Sequence, residues 1–297
     1  MRTPRPGESK SELGEFLQAR RAAVTPMSAG LPETGRRRVA GLRREEVALL
    51  VGLSTDYYVR LEQGRGGRPS ESVLDALSRV LMLDDTQRAH LHHLAHPPRR
   101  HPRTARVAPE RVTAATRFFL ETLTVPALVI TRTTQVIGWN ALACEVIVDF
   151  AARPETERNT AWLLFCDDEV AARQRDWDNA ARNTVGTLRM TAGQRPDHPD
   201  LAELVGTLGV RSETFRRLWA EHHVHEKAGG VQLLRHPEVG DLDLTYLTWT
   251  TPAAPDQMLV TYTPEPGSPS ARAIDLLGSM TATHRETAGD PTSATEA

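Results

Sequence analysis

Between Arg43 and Gly64 the chain places a small residue, a breaker and a cap at spacings that leave few ways to fold. One short helix is expected over about Arg43 to Val51, broken by Gly52, and a second is expected from a cap at Ser54 to Gly64. Gly52 tolerates the positive φ that a tight turn needs. Ala48 is small where a second helix has to cross, and Leu53 fills the space below the turn. Ser54 supplies an oxygen for the first free amides of the second helix. At about 100° per residue, Thr55, Asp56, Val59 and Arg60 share one arc of about 140°, with Ser54, Tyr58 and Leu61 on the opposite side. This is a helix-turn-helix pattern, with one side for a core and one side facing outward.

The flanking sequence supports an all-α N-terminal domain. Ser9 and Glu12 form a capping-box pattern ahead of Leu13, Phe16 and Leu17. A loop over Met27–Gly41 carries Arg36, Arg37 and Arg38. Pro69-Ser70 opens a fourth helix whose Val73, Leu74, Leu77, Val80 and Leu81 share one face, and Asp84 opens a fifth with Leu91 and Leu94. The stretch HPPRRHPRTA then reads as a stiff, solvated linker. The boundaries expected are 1–96 for the first domain, 97–106 for the linker, 107–278 for a second domain and 279–297 for a disordered tail. In the second domain, Ala127–Ile130 and Gln135–Gly138 are strand candidates, and Asn140 can cap a helix. Residues 155–225 are mostly helical in pattern. Asp241–Tyr246 alternates and Gln257–Thr263 follows as a strand, with a turn at Pro237–Gly240 and a last helix opened by Ser268-Pro269. The second domain is therefore α+β.

Charge separates the two halves. Residues 1–105 hold 18 Lys and Arg against 12 Asp and Glu, a net of +6, whereas residues 106–297 hold 18 against 26, a net of −8. Only the N-terminal part is suited to a polyanion. The outward arc has the chemistry of a base reader. Arg60 can bond guanine O6 and N7, Asp56 can accept from cytosine N4, Val59 can touch a thymine methyl, and Thr55 can serve a base edge or a phosphate. Arg36, Arg37, Arg38, Arg43, Arg44, Arg65 and Arg68 are candidate phosphate contacts. No apolar run in the sequence is long enough to span a bilayer, no secretory leader is expected from MRTPRPGESK, and the two cysteines, Cys144 and Cys166, lack a metal or disulfide spacing. A cytoplasmic protein without membrane association is expected.

With these residues in view, a resemblance can be named. Residues 9–95 resemble the helix-turn-helix domain of the Xre family of bacterial repressors. The segment GLRREEVALLVGLSTDYYVRLEQGRGGRPSESVLDALSRVL is similar to an actinobacterial branch in which that domain precedes an MmyB-like ligand-binding domain. VPALVITRTTQVIGWNALA, LRHPEVGDLDLTYLTWT and DQMLVTYTPEPGSPS extend the resemblance through the second half. It implies a PAS-like sensor fold and a transcriptional regulator. It also implies that Arg44 meets a phosphate at the start of the second helix, and that Thr55, Asp56 and Arg60 read bases. Two departures stand out. The loop Met27–Gly41 is longer than in compact repressors, and Thr55 and Asp56 stand where phage repressors carry glutamines.

The second domain holds all five Trp residues. Trp139, Asn140, Trp162, Phe165, Trp219, His222 and Tyr246 form a candidate lining for a pocket that takes a small, largely apolar molecule, such as a fatty-acid-like ligand. Core packing is the competing account of the same residues. His90, His92, His93, His96 and His101 read as a solvated helix end rather than a metal site, and no catalytic or metal-ligating set emerges. No cofactor is expected. The reading is a DNA-binding regulator, working as a homodimer on double-stranded DNA, with a small-molecule sensor. The alternatives are a second domain that acts as a protein-interaction or dimerisation module, and a DNA-targeted enzyme.

Overall fold

The computed structural model describes residues 11–32, 39–96, 111–224 and 228–288, with 282–288 described by backbone alone. The chain divides into two compact units. The first comprises residues 1–103, 185–198 and 217–226, and the second comprises 104–184, 199–216 and 227–297. The division is thus not a single cut at the Pro/Arg-rich linker, because two segments from beyond it belong to the first unit.

The first unit is built on five helices: α1 (Glu12–Ala23), α2 (Arg44–Val51), α3 (Thr55–Glu62), α4 (Glu71–Val80) and α5 (Asp85–Ala95). Ser11 caps α1, its hydroxyl accepting from the Gly14 amide at 3.1 Å. The expected cap, Ser9, lies outside the described residues. Asp84 caps α5 in the same way, accepting from the Gln87 amide at 2.8 Å. The apolar faces converge on Phe16, Leu17, Leu42, Val47, Tyr58, Leu61, Leu74, Leu77 and Leu91. Each of these nine is at most 1% exposed. Val224, from far downstream in the chain, belongs to the same core.

The second unit is a five-stranded antiparallel sheet with helices, in the order β2-β1-β5-β4-β3. The strands are β1 (Ala127–Thr131), β2 (Val136–Trp139), β3 (Gly229–His236), β4 (Gly240–Thr251) and β5 (Ala254–Pro264). Strand β4 alternates as the sequence does, with Leu242, Leu244 and Tyr246 buried and their neighbours exposed. These side chains, with Met258, Val260 and Tyr262 of β5, face α7 (Ala141–Val146) and α13 (Pro269–Ala288). The opposite face is covered over Ala127, Val129 and Leu259 by α6 (Ala114–Thr122), through Leu120 and Leu123. The free edge of β3 is bridged by residues 173–175: the Arg235 amide donates to the Arg173 carbonyl, and the Arg175 amide donates to the Leu233 carbonyl. An exposed row of unpaired strand amides is thereby shortened.

Between the sheet segments run α8 (Thr160–Cys166), α9 (Asp168–Ala172), α10 (Trp177–Gln194), α11 (Pro199–Arg211) and α12 (Glu213–Ala220). The C-terminal parts of α10 and α12 belong to the first unit. Helix α13 continues through Ala288, so residues 279–288, expected to be a disordered tail, are helical. Pro269 can only start a helix, and the run that follows has neither glycine nor proline beyond Gly278 until Gly289.

The histidine-rich end of α5 also departs from expectation. His90 is 3% exposed, its ring edge-on to Phe16 at 5.1 Å and pressed against Gly193, where a Cβ would lie 2.3 Å from Cε1. His92 instead meets Glu71 at 2.9 Å, and His101 lies outside the described residues. His93 and His96 are exposed, as a solvated helix end requires, and the departure is His90, which falls on the buried face of α5 with Leu91.

Two glycines in the first unit are required for different reasons. Gly52 sits at φ +79° with open space around a would-be Cβ. Gly14 has ordinary helical geometry, but a Cβ there would lie 2.1 Å from the Glu62 carbonyl oxygen. We predict that Gly52→Ala costs about 1–2 kcal/mol through backbone strain alone. Gly14→Ala forces α1 off α3 and costs at least about 1–3 kcal/mol, as overpacking does. Urea melts of the two variants test this: a Gly14→Ala midpoint at the wild-type value contradicts the close helix crossing.

Candidate functional site

The turn between α2 and α3 is set by backbone bonds. The Gly52 amide donates to the Leu49 carbonyl at 3.2 Å and the Leu53 amide to the Ala48 carbonyl at 2.8 Å, closing α2 with Gly52 in the left-handed region. Ser54 then starts α3, its hydroxyl accepting from the Tyr57 amide at 3.2 Å. Tyr58 and Leu61 are buried in the core. Thr55, Asp56 and Arg60 are exposed and Val59 is half-buried, so the four residues of the outward arc reach one solvent-facing surface.

One further residue on this helix was not picked out from sequence. Glu62 is 7% exposed, yet it is charged and lies on the core side of α3. Its carboxylate accepts from Arg21 Nε and from Arg44 Nε, each at 2.6 Å. Arg21 also donates to the Leu42 carbonyl at 2.9 Å. A buried carboxylate is costly unless paired and hydrogen-bonded, and two guanidinium groups meet that need. The phase of α3 gave little signal, because Glu62 falls at the border between the two sides, about 40° from Tyr58 and about 20° from Thr55.

The basic residues occupy varied positions. Arg44 is held by Glu62 at Nε, while its side chain remains 48% exposed. Arg43 stands at the start of α2, where its amide donates to Glu46 Oε2 at 2.7 Å, and its side chain is exposed. Arg65 and Arg68 are exposed beyond α3. Arg36, Arg37 and Arg38 lie outside the described residues.

Of the seven candidate ligand-lining residues, five lie in the second unit and two in the first. Trp139 and Trp162 are half-buried against the inner sheet core that contains Tyr246. Trp139 packs 5.4 Å from Phe150, with the Arg158 guanidinium 5.5 Å above its ring. Phe165 belongs to a different aromatic group, edge-on to Trp177 at 5.6 Å and to Phe215 at 5.2 Å. Asn140 serves the backbone. Its Oδ1 accepts from the Ala127 and Ala143 amides, each at 3.0 Å, and its Nδ2 donates to the Val125 carbonyl at 2.8 Å.

Trp219 and His222 lie in the first unit. The Arg189 guanidinium stacks 3.9 Å over the Trp219 ring and donates to the Trp219 carbonyl through Nε at 3.1 Å and Nη2 at 2.5 Å. Arg20 of α1 donates to the Glu221 carbonyl at 3.0 Å. His222 adopts φ +51°, is 8% exposed and has its Nε2 3.4 Å from Glu15. Burial, reinforced by the charges of Arg189 and Arg20, lowers the His222 imidazole to about 4. Burial likewise lowers His90 to about 3, so both rings are neutral at neutral pH. Among the described residues no helix is long and apolar enough to cross a membrane, and no three His, Cys, Asp or Glu side chains are placed to hold a metal ion.

Comparison with known proteins accords with this geometry. Residues 12–91, which carry the α2–Gly52–α3 turn, match the model of a helix-turn-helix domain. Residues 112–277 match the model of the MmyB-like transcription regulator ligand binding domain. No curated protein matches the chain. With one model over the helix pair that exposes Thr55, Asp56 and Arg60, and another over more than half of the chain, the protein belongs to the family with the MmyB-like transcription regulator ligand binding domain, joined to an N-terminal helix-turn-helix.

Proposed function

We propose that the protein is a cytoplasmic, non-enzymatic transcription regulator that binds double-stranded DNA sequence-specifically through α3 and is controlled by a small, largely apolar ligand of the fatty-acyl class. The observation that carries the DNA reading is the division of α3. Tyr58 and Leu61 are sealed in the core, while Thr55, Asp56 and Arg60 stand exposed together on the same short helix. Arg60 is the assigned guanine reader and Asp56 the cytosine reader, with Val59 and Thr55 completing the base contact. Arg43, Arg44, Arg65 and Arg68, together with Arg36, Arg37 and Arg38, are assigned to phosphates. A single short helix reads too few base pairs to compete with genomic sites, which supports a homodimer on paired half-sites.

For the ligand, support comes from the matched ligand-binding region and from the aromatic side chains Trp139, Trp162 and Tyr246 at the inner sheet core. An acyl chain suits such walls. The second reading, a dimerisation or interaction module, is favoured by one specific observation. On the outer sheet face Val231, Leu247 and Trp249 are 60%, 44% and 54% exposed, and Phe118 and Phe119 on α6 are 69% and 51% exposed. Apolar surface of this kind is usually covered by a partner.

Three outcomes are expected of the full chain. Arg60→Ala costs about 1–3 kcal/mol on a selected site and relaxes preference at one base pair, whereas Arg44→Ala weakens selected and random duplexes alike. Competition binding separates the two, and equal behaviour of both variants on both duplexes contradicts the assignment. The affinity for duplex DNA falls with salt at a log–log slope of about −4 to −5 per protomer, for about 4–6 neutralised phosphates. A flat salt titration removes the phosphate assignments. A fatty-acid panel raises the melting temperature, and each binder shifts affinity for the selected site by about 5- to 150-fold. If no fatty acid shifts either quantity, the interaction-module reading is the better one.

A further inference from the structure

Arg60 has two side chains within reach on its own helix, and the structure uses the less obvious one. Asp56 precedes it by four residues, the spacing at which opposite charges pair along a helix. Among the described residues no ion pair joins them. Instead the Arg60 guanidinium lies over the Tyr57 ring, with Cζ 5.9 Å from the ring centroid. Tyr57 is itself fixed, its amide donating to Ser54 Oγ at 3.2 Å and its ring packed against the core of the first unit. The half-buried ring thus lies beneath an exposed cation.

The difference between these two partners matters for recognition. An Asp56–Arg60 pair would consume donors of the guanidinium and acceptors of the carboxylate, the groups that guanine and cytosine edges need. A ring face attracts the cation through its quadrupole and takes up no N–H group. Exposed cation–ring contacts and exposed ion pairs along a helix are of similar size, so the platform competes effectively with Asp56. We propose that Tyr57 is a positioning residue for sequence readout, which holds Arg60 off Asp56 so that both side chains meet the bases unpaired. This inference rests on the reading of α3 as the DNA-reading helix.

The test uses the full chain and a duplex selected by the wild-type protein from a random pool. Single base-pair variants of that duplex and random DNA are compared at fixed salt. Tyr57→Leu lowers discrimination by about 2- to 5-fold at the base pair that Arg60→Ala relaxes, and leaves binding to random DNA unchanged. Tyr57→Phe keeps wild-type discrimination, because the ring face is retained. In the Arg60→Ala background Tyr57→Leu changes nothing further. The proposal is overturned if Tyr57→Leu discriminates like wild type, if Tyr57→Phe loses discrimination as Tyr57→Leu does, or if the Tyr57→Leu loss persists without Arg60. If Arg60→Ala itself leaves every base preference intact, the reading of α3 fails and the role of Tyr57 fails with it, a result distinct from the other three.

Discussion

The buried carboxylate of Glu62 ties together the three helices on which DNA contact would depend. It sits at the end of α3 and accepts from Arg21 of α1 and Arg44 of α2, each at 2.6 Å. Removing one partner of a buried pair typically costs about 3–5 kcal/mol, because the charge left behind has no solvent. Here two cations share one anion, so Arg21 still holds Glu62 if Arg44 is lost, at a lesser cost. The arrangement also orients Arg44, whose Nε is occupied while its side chain stays half exposed. Gly14 permits the same closeness from the backbone side, since α1 rests directly on the Glu62 carbonyl.

On the other side of α1 the first unit is closed by chain from far downstream. Arg20 and Arg189 bind the carbonyls of Glu221 and Trp219, Val224 enters the core, and Gly193 leaves room for the His90 ring. Residues 185–198 and 217–226 fall inside the region matched to the ligand-binding model, although they pack with the helix-turn-helix. Adjacent positions, Arg20 and Arg21, therefore connect α1 to this downstream segment on one side and to Glu62 on the other.

Much of this was legible in the sequence wherever the governing interaction is local. The α2–Gly52–Ser54–α3 turn, the outward arc, the Asp84 and Asn140 caps and the alternation of β4 each follow from periodicity or from a side chain bonding its near neighbours. What sequence alone did not reveal depends on distant partners. Arg21 and Glu62 are 41 positions apart, and Arg20 and Glu221 are 201 apart. Tyr57 was unremarkable until its ring was seen beneath Arg60, and His90 looked like one of a solvated series until Gly193 covered it. The candidate pocket set fell in both units for the same reason: aromatic content marks apolar surface without saying which residues share it, and Asn140 has its side-chain polar atoms committed to backbone.

The participation of downstream chain in the first unit bears on how such a regulator can be recombined. A graft that joined residues 1–96 to a foreign sensor would leave the Val224 site vacant, strip the carbonyl partners from Arg20 and uncover His90 beside Phe16. The helix-turn-helix half is therefore not a free cassette. Its transferable form is α1 to α5 together with the ends of α10 and α12, and exchange between regulators of this build has to move those discontinuous pieces as one.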